Sequence, residues 1–278
     1  IEINGATLEY SKVTPKESNG KLAITLHGGR GFGSKEGDFS VYKDLANYGY
    51  TVISFDFRGH GNSSSTPPFI FKQIVEDIEA LKLHFSKDEK IIVIGGSFGS
   101  FLAQQYAITY PDSISHLVLR GAAPSYHQED ECLSKLANNL KTGKASNASV
   151  EMVHKVFSSF ESDEEMKLIM FALAPLYVEV YDQNKGLAGV LNTKYNSKSH
   201  NDLYSETEKY FDYRDDLKRL EKPTLIIVGA NDWICPPEQS ELIHSLIKDS
   251  KLLVIPDANH SVHVEKKEIV IAEIVKFL

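Results

Sequence analysis

Three residues of this chain have the types and the order that nucleophilic acyl transfer requires: Ser97, Asp232 and His260. Ser97 sits in Gly95-Gly96-Ser97-Phe98-Gly99, directly behind the apolar run Ile91 to Ile94 and ahead of a helix-compatible stretch, Ser100 to Tyr110. A Gly-x-Ser-x-Gly between strand and helix predicts a very sharp turn. Side chains two before and two after the serine would collide there, and glycine at Gly95 and Gly99 avoids this. The hydroxyl then stands at a helix N-terminus, where amides and the helix dipole favour a nearby oxyanion. Serine is a weak nucleophile at neutral pH, so it needs a base, and the base needs an orienting carboxylate. Asp232 follows the run Thr224 to Val228, and His260 follows Leu252 to Ile255. Each lies just past the carboxyl end of a predicted strand, where open parallel sheets place their sites. Asp257 competes for the acid role and His263 for the base role. Asp257 also reads as a turn residue, and His263 as part of a helix-entry turn.

A fourth element is His27-Gly28-Gly29-Arg30-Gly31, immediately after the apolar run Leu22 to Leu26. A glycine-rich loop leaves backbone amides free, so the amides of Gly29 and Phe98 are the expected oxyanion hole. The loop lacks the Lys-Ser/Thr ending of a phosphate-binding P-loop. His27 is expected to anchor it by hydrogen bonding. Arg30 reads equally as a solvated charge or as a pocket residue that attracts an anionic substrate group. Glu179, between Val178 and Val180, is either a carboxylate facing the pocket or a satisfied boundary residue. Ligand spacing is confined to the His260-x-x-His263 pair, so neither a metal nor a cofactor is expected.

The elements that must position these groups follow from patterning. Apolar runs at 22–26, 51–55, 91–94, 117–119, 224–228 and 252–255 read as strands covered on both faces. Helical spacing appears at 39–48, 69–85, 98–110, 237–247 and 267–277. The runs 1–3 and 8–13, split by Asn4-Gly5, read as an opening hairpin. Strand and helix in alternation predict an α/β class with a doubly wound, mostly parallel sheet. The alternation stops after Gly121 and resumes near 209, too long an interval for a connecting loop. It carries short amphipathic stretches and reads as a helical cap over 122–208. The catalytic domain is then 1–121 together with 209–278.

Composition narrows the function classes. The 278 residues carry 30 basic and 38 acidic side chains, a formal net charge of −8, which disfavours a nucleic-acid surface. No apolar run approaches the ~20 residues of a membrane span. Two cysteines, Cys132 and Cys235, are too few for a disulfide framework, and a cytoplasmic location is the default expectation. The expected partner is a small-molecule acyl substrate, with no nucleic acid and no membrane; oligomeric state is not legible.

Four stretches carry a family likeness: His27 to Gly31, Asp56-Phe57-Arg58-Gly59-His60-Gly61-Asn62-Ser63, Gly95 to Ser100, and Ser115 to Gly121. Asp232 to Pro236 and Pro256 to Ser261 extend it to the C-terminal end. The chain resembles an α/β hydrolase, and within that superfamily the prolyl aminopeptidase (proline iminopeptidase) branch. The likeness implies the α/β-hydrolase fold with an inserted cap, and a serine hydrolase working through the order Ser97, Asp232, His260. It implies an N-terminal aminopeptidase, with esterase or lactonase activity as the alternative. A lyase or a ligand-sensing protein on the same fold is a further alternative. Arg30 stands where the family's glycine loop usually carries proline, and the middle segment lacks a Glu-Asn-His-Tyr-Phe stretch associated with the cap.

Overall fold

The computed structural model describes residues 1–141 and 148–278. A short hairpin opens the chain: β1 (Glu2–Ile3) and β2 (Ala6–Thr7) pair antiparallel about Asn4 and Gly5. Both turn residues have positive φ, 48° and 76°, the geometry that two-residue hairpins favour. The hairpin expected from the sequence therefore forms with shorter arms. The remaining strands are β3 (Tyr10–Val13), β4 (Leu22–Leu26), β5 (Thr51–Phe55), β6 (Ile91–Gly96), β7 (Ile114–Arg120), β8 (Thr224–Gly229) and β9 (Ser250–Ile255). They form a seven-stranded sheet in the order β3-β5-β4-β6-β7-β8-β9. Only β3, on the β5 edge, is antiparallel.

Helices cover both faces. They are α1 (Lys35–Tyr42), α2 (Phe71–Ser86), α3 (Phe98–Thr109), α4 (Gln128–Lys141), α5 (Val150–Val156), α6 (Asp163–Leu173) and α7 (Gln183–Asn192), followed by α8 (Ser197–Leu203), α9 (Glu206–Lys209), α10 (Arg214–Leu217), α11 (Pro237–Leu246), α12 (Val262–Glu265) and α13 (Lys267–Phe277). Strand alternation divides the core in two. Ile24, Leu26, Val93, Leu117 and Leu119 pack with Ile74, Ile78 and Leu102 of α2 and α3. Ala23, Ile92, Ile94, Val118 and Leu225 pack with Val41 of α1 and with Val270 and Ile274 of α13. The strands between β5 and β8 thus bury apolar side chains on both faces, which is why most of their length appears in the sequence as apolar runs. The helix expected over 39–48 is instead α1 followed by a 3-10 segment, Lys43–Tyr48, ended by Gly49 at φ 90°.

Between β7 and β8 the described residues form α4 to α10 and add no strand to the sheet. The Ser, Asn and Asp content of this interval has a local use. Ser149, Ser162, Asp182 and Asn196 each accept an amide of the helix they precede, which satisfies first-turn donors. Apolar faces here meet in a small core that includes Cys132, Leu136, Phe157, Leu176 and Trp233. The proposed cap, 122–208, contains residues 142–147, which lie outside the described residues.

Candidate active site

Register brings the site together. Leu26 pairs with Gly95, Gly96 with Arg120, and Gly229 with Ile255. The loops after β4, β6, β7, β8 and β9 therefore leave the sheet along one edge. Between β4 and β6 the strand order reverses, the position where open α/β sheets bind ligands.

Ser97 occupies the elbow at φ 52°, ψ −122°, a sparsely populated conformation that costs about 1–3 kcal/mol. Its amide donates to the Arg120 carbonyl at 2.9 Å, and its carbonyl accepts the amide and hydroxyl of Ser100 at 2.8 and 2.6 Å. A Cβ at Gly95 would strike the Gly99 carbonyl, and one at Gly99 would strike the Leu26 carbonyl. Both glycines are therefore required by contact as well as by turn shape. Overpacking of this kind costs about 1–3 kcal/mol, or about 2–12 °C in Tm for a domain of this size. Gly99→Ala is expected to lose Tm in that range together with its activity. Thermal unfolding checks this, and an unchanged Tm contradicts it.

His260 donates from Nδ1 to Asp232 Oδ2 at 2.8 Å. The other Asp232 oxygen accepts the amides of Ile234 and Cys235 at 3.0 Å each. Both residues are buried, 1% and 5% exposed, so solvent screens the pair little. With the proton held at Nδ1, Nε2 is left as an acceptor. The two competitors stand elsewhere. Asp257 is an exposed turn residue at φ 51°. His263 lies 3.3 Å from Asp38 Oδ1, and burial pushes its pKa down to about 4. Ser97, His260, Gly28, Gly29, Arg30 and Phe98 line one cavity of about 460 Å³. Phe98 is the first residue of α3, so its amide is among the first-turn donors that lack an intrahelical partner.

The glycine loop is gripped from two sides. His60 accepts the Gly31 amide on Nε2 at 2.7 Å and donates from Nδ1 to the Arg58 carbonyl at 3.0 Å. His200 of α8 bonds the Arg30 carbonyl at 3.0 Å, and the Gly31 carbonyl accepts the Asn196 amide at 2.8 Å. His27 accepts the Phe57 amide at 3.3 Å and bonds the Gly28 carbonyl at 2.8 Å, the anchoring role expected of it. Behind His60, Arg58 pairs with Asp77 of α2 at 2.6 and 2.8 Å, and Asp56 accepts the amides of Lys35 and Asn62. The Asp56 to Ser63 stretch is thus a scaffold for the loop.

Burial holds these imidazoles neutral, with His60 and His200 pushed down to about 3. Unfolded, each returns to an ordinary histidine value, so the unfolded chain binds more protons below about pH 6.5. Stability therefore falls as pH drops from about 6.5 towards 4. Tm is expected to decline through that window, and equal Tm at about pH 7 and about pH 5 contradicts the neutral state of these rings.

Arg30 is only 4% exposed, so it is not a solvated loop charge. Its guanidinium carbon stands 3.8 Å from the Tyr204 ring centroid and 5.1–5.9 Å from those of Phe71, Phe98, Phe101 and Phe211. It donates to the Leu203 carbonyl at 3.1 Å, joining the loop to α8. Aromatic faces attract a cation most when it is desolvated, as here. Glu179 is placed apart from Ser97. Its carboxylate accepts the Asn259 side chain at 3.0 Å, and its amide donates to Glu265 at 2.6 Å. It therefore braces the residue before His260 and lines a neighbouring cavity.

Sequence reasoning missed the ties between this site and the interval after β7. The indole of Trp233 donates to the Leu176 carbonyl at 2.8 Å, and the Ser261 amide donates to the Tyr177 carbonyl at 3.0 Å. The 3-10 segment Ala174–Tyr177 thus holds both the acid loop and the histidine loop. Arg120 also went without a role, although it lies in a stretch that carries the family likeness. Its guanidinium donates to the His260 carbonyl at 3.3 Å and lies 3.5 Å from Asp38.

Comparison with known proteins agrees with this architecture. Residues 24–267 match the family described as alpha/beta hydrolase fold. Proline iminopeptidase PfmaB of Pestalotiopsis fici is 50% identical over 276 residues, 99% of this chain and 96% of that protein. The solved proline iminopeptidase of Mycobacterium smegmatis superposes with a TM-score of 0.75 at 19% identity, covering 100% of this chain and 96% of the other. An esterase from Exiguobacterium antarcticum gives 0.74 at 20% identity, covering 99% and 96%. The chain belongs to the α/β-hydrolase fold family, in its prolyl aminopeptidase branch, and is a hydrolase.

Proposed function

We propose that this hydrolase cleaves small acyl compounds through an acyl-enzyme on Ser97, and that its acyl groups are amino-terminal aminoacyl residues. The observation that carries the mechanism is the buried His260–Asp232 bond beside the cavity that Ser97 lines. Ser97 attacks the carbonyl while His260 takes its proton, Asp232 stabilises the imidazolium, and the amides of Gly29 and Phe98 hold the oxyanion. His260 then protonates the leaving group and activates water for deacylation. The aminoacyl preference is supported by the 50% identity to a protein named proline iminopeptidase. The segment 122–208 acts as a cap that excludes water from the oxyanion hole. Two buried, unpaired thiols, Cys132 and Cys235, fit a reducing cytoplasm.

The second reading, an esterase or lactonase, is favoured by the position of Glu179, which lies outside the cavity of Ser97. A panel of aminoacyl amides, lactones and short esters separates the two. A wild type that hydrolyses lactones or short esters but no aminoacyl amide puts the esterase reading first, and turnover of aminoacyl amides with little of the other two supports the aminopeptidase reading.

A further inference from the structure

Beside the cavity that holds Ser97 lies a second and larger one, of about 660 Å³. Phe32, Tyr177, Thr193, Ser261 and Val264 are walls of both, so the two are neighbours through a shared partition. The outer cavity is built from α6, α7, the segment Ala174–Tyr177 and the residues after His260. Met170, Ala174, Val178, Val190 and Tyr195 make its apolar lining. Most of its carboxylates are already engaged with the protein. Glu179 and Glu265 bond Asn259, and Asp182 accepts the amides of Asn184 and Lys185 at the start of α7. Lys185 lies 3.9 Å from Asp182 with its side chain largely in solvent, and Asp257 and Lys266 complete the charged lining. The part of an occupant that rests on the apolar side chains is favoured uncharged, because a charge placed against them loses hydration.

The side on which the two cavities meet decides what the outer one takes. Ser261 is the residue after His260, and the Tyr177 ring stands edge-on to the His260 ring, with centroids 5.8 Å apart. In acyl transfer the leaving atom must lie within hydrogen-bond reach of the imidazole that protonates it. Whatever is attached to that atom extends past Tyr177, Ser261 and Val264, towards the outer cavity. The acyl group is left with the other walls of the inner cavity, among them Arg30, Phe98, Phe101 and Tyr204.

We infer, resting on the acyl-enzyme reading above, that the outer cavity is a leaving-group subsite for a large uncharged aromatic or aliphatic amine or alcohol. In the step it serves, Ser97 Oγ bonds the acyl carbon and the bond from that carbon to the leaving atom breaks. The electron pair stays on the leaving atom, which takes the proton that His260 removed from Ser97. The freed amine or alcohol occupies the outer cavity, and water then releases the acid and restores Ser97.

Gly189 of α7 offers the test. It lines the outer cavity, a Cβ added there meets no atom within 4 Å, and its φ is not positive. Gly189→Phe therefore adds a benzyl group at the wall of the subsite without straining the backbone. Prolyl amide and prolyl 2-naphthylamide share an acyl group and differ only in the leaving group. Methyl and 2-naphthyl acetate serve if only esters turn over. Gly189→Phe is expected to lower kcat/KM for the naphthyl substrate at least tenfold and to leave the small one within about twofold, the span a hydrophobic pocket discriminates. Free 2-naphthylamine, or 2-naphthol for the esters, should compete with the small substrate in the wild type. Equal changes for both leaving groups, or no change in either, overturn the inference. If the variant loses both activities, the wild type decides: no competition by the free naphthyl product overturns the subsite. A wild type that hydrolyses no acyl substrate and takes no fluorophosphonate label defeats the acyl-enzyme reading itself, and the subsite with it.

Discussion

Ser97→Ala is expected to reduce kcat about a million-fold, the scale seen when the nucleophile of a serine protease is removed, or about 8 kcal/mol of barrier. The fold should survive. The strained elbow is held by the Ser97 backbone, through the Arg120 carbonyl and the Ser100 amide and hydroxyl, and these bonds do not involve the Ser97 hydroxyl. Turnover of a p-nitrophenyl ester and Tm, measured on the same preparation, check both halves. A variant that kept a tenth of wild-type turnover contradicts the covalent mechanism.

Asp232→Asn is expected to cost about 10⁴-fold in kcat, and the structure shows why so small a change is so damaging. In Asp232 one oxygen accepts two amides, from Ile234 and Cys235, and the other accepts the His260 proton. An asparagine keeps its carbonyl oxygen on the two amides, so its NH2 faces His260 Nδ1. That nitrogen must then accept, which moves the ring proton to Nε2 and leaves no base for Ser97. Asp257→Asn is the control, because Asp257 is an exposed turn residue. Full activity in Asp232→Asn, or an equal loss in Asp257→Asn, contradicts the assignment of the acid.

How much of this was legible in the sequence depended on how local each cause was. The strands from β4 to β8 bury apolar side chains on both faces, so most appear as nearly continuous apolar runs, interrupted at Thr25, Ser54 and the partly buried Ser115 and His116. The elbow was legible because its glycines, its strand and its helix are consecutive. The opening hairpin was drawn too long because the run 8–13 belongs to two structures. Leu8 closes the small hairpin by donating its amide to the Ile1 carbonyl, and Tyr10–Val13 crosses to β5. The contacts between the cap interval and the site left no local mark. Arg30 meets Leu203 and Trp233 meets Leu176 across 173 and 57 residues of chain, and neither spacing repeats. For Glu179, the flanking valines indicated a side chain pointing apart from its neighbours. Which cavity it faced depended on Asn259 and Glu265, 80 and 86 residues away.

The central claim is that Ser97 carries the acyl group, and covalent labelling tests it most directly. The native protein is incubated with a serine-directed fluorophosphonate until activity stops, digested, and mapped by tandem mass spectrometry. The account predicts one phosphonyl group per chain, on Ser97 within the peptide spanning Gly95 to Gly99, in step with loss of turnover. Inactivation with the label on any other residue, or hydrolysis that continues with Ser97 fully labelled, contradicts it.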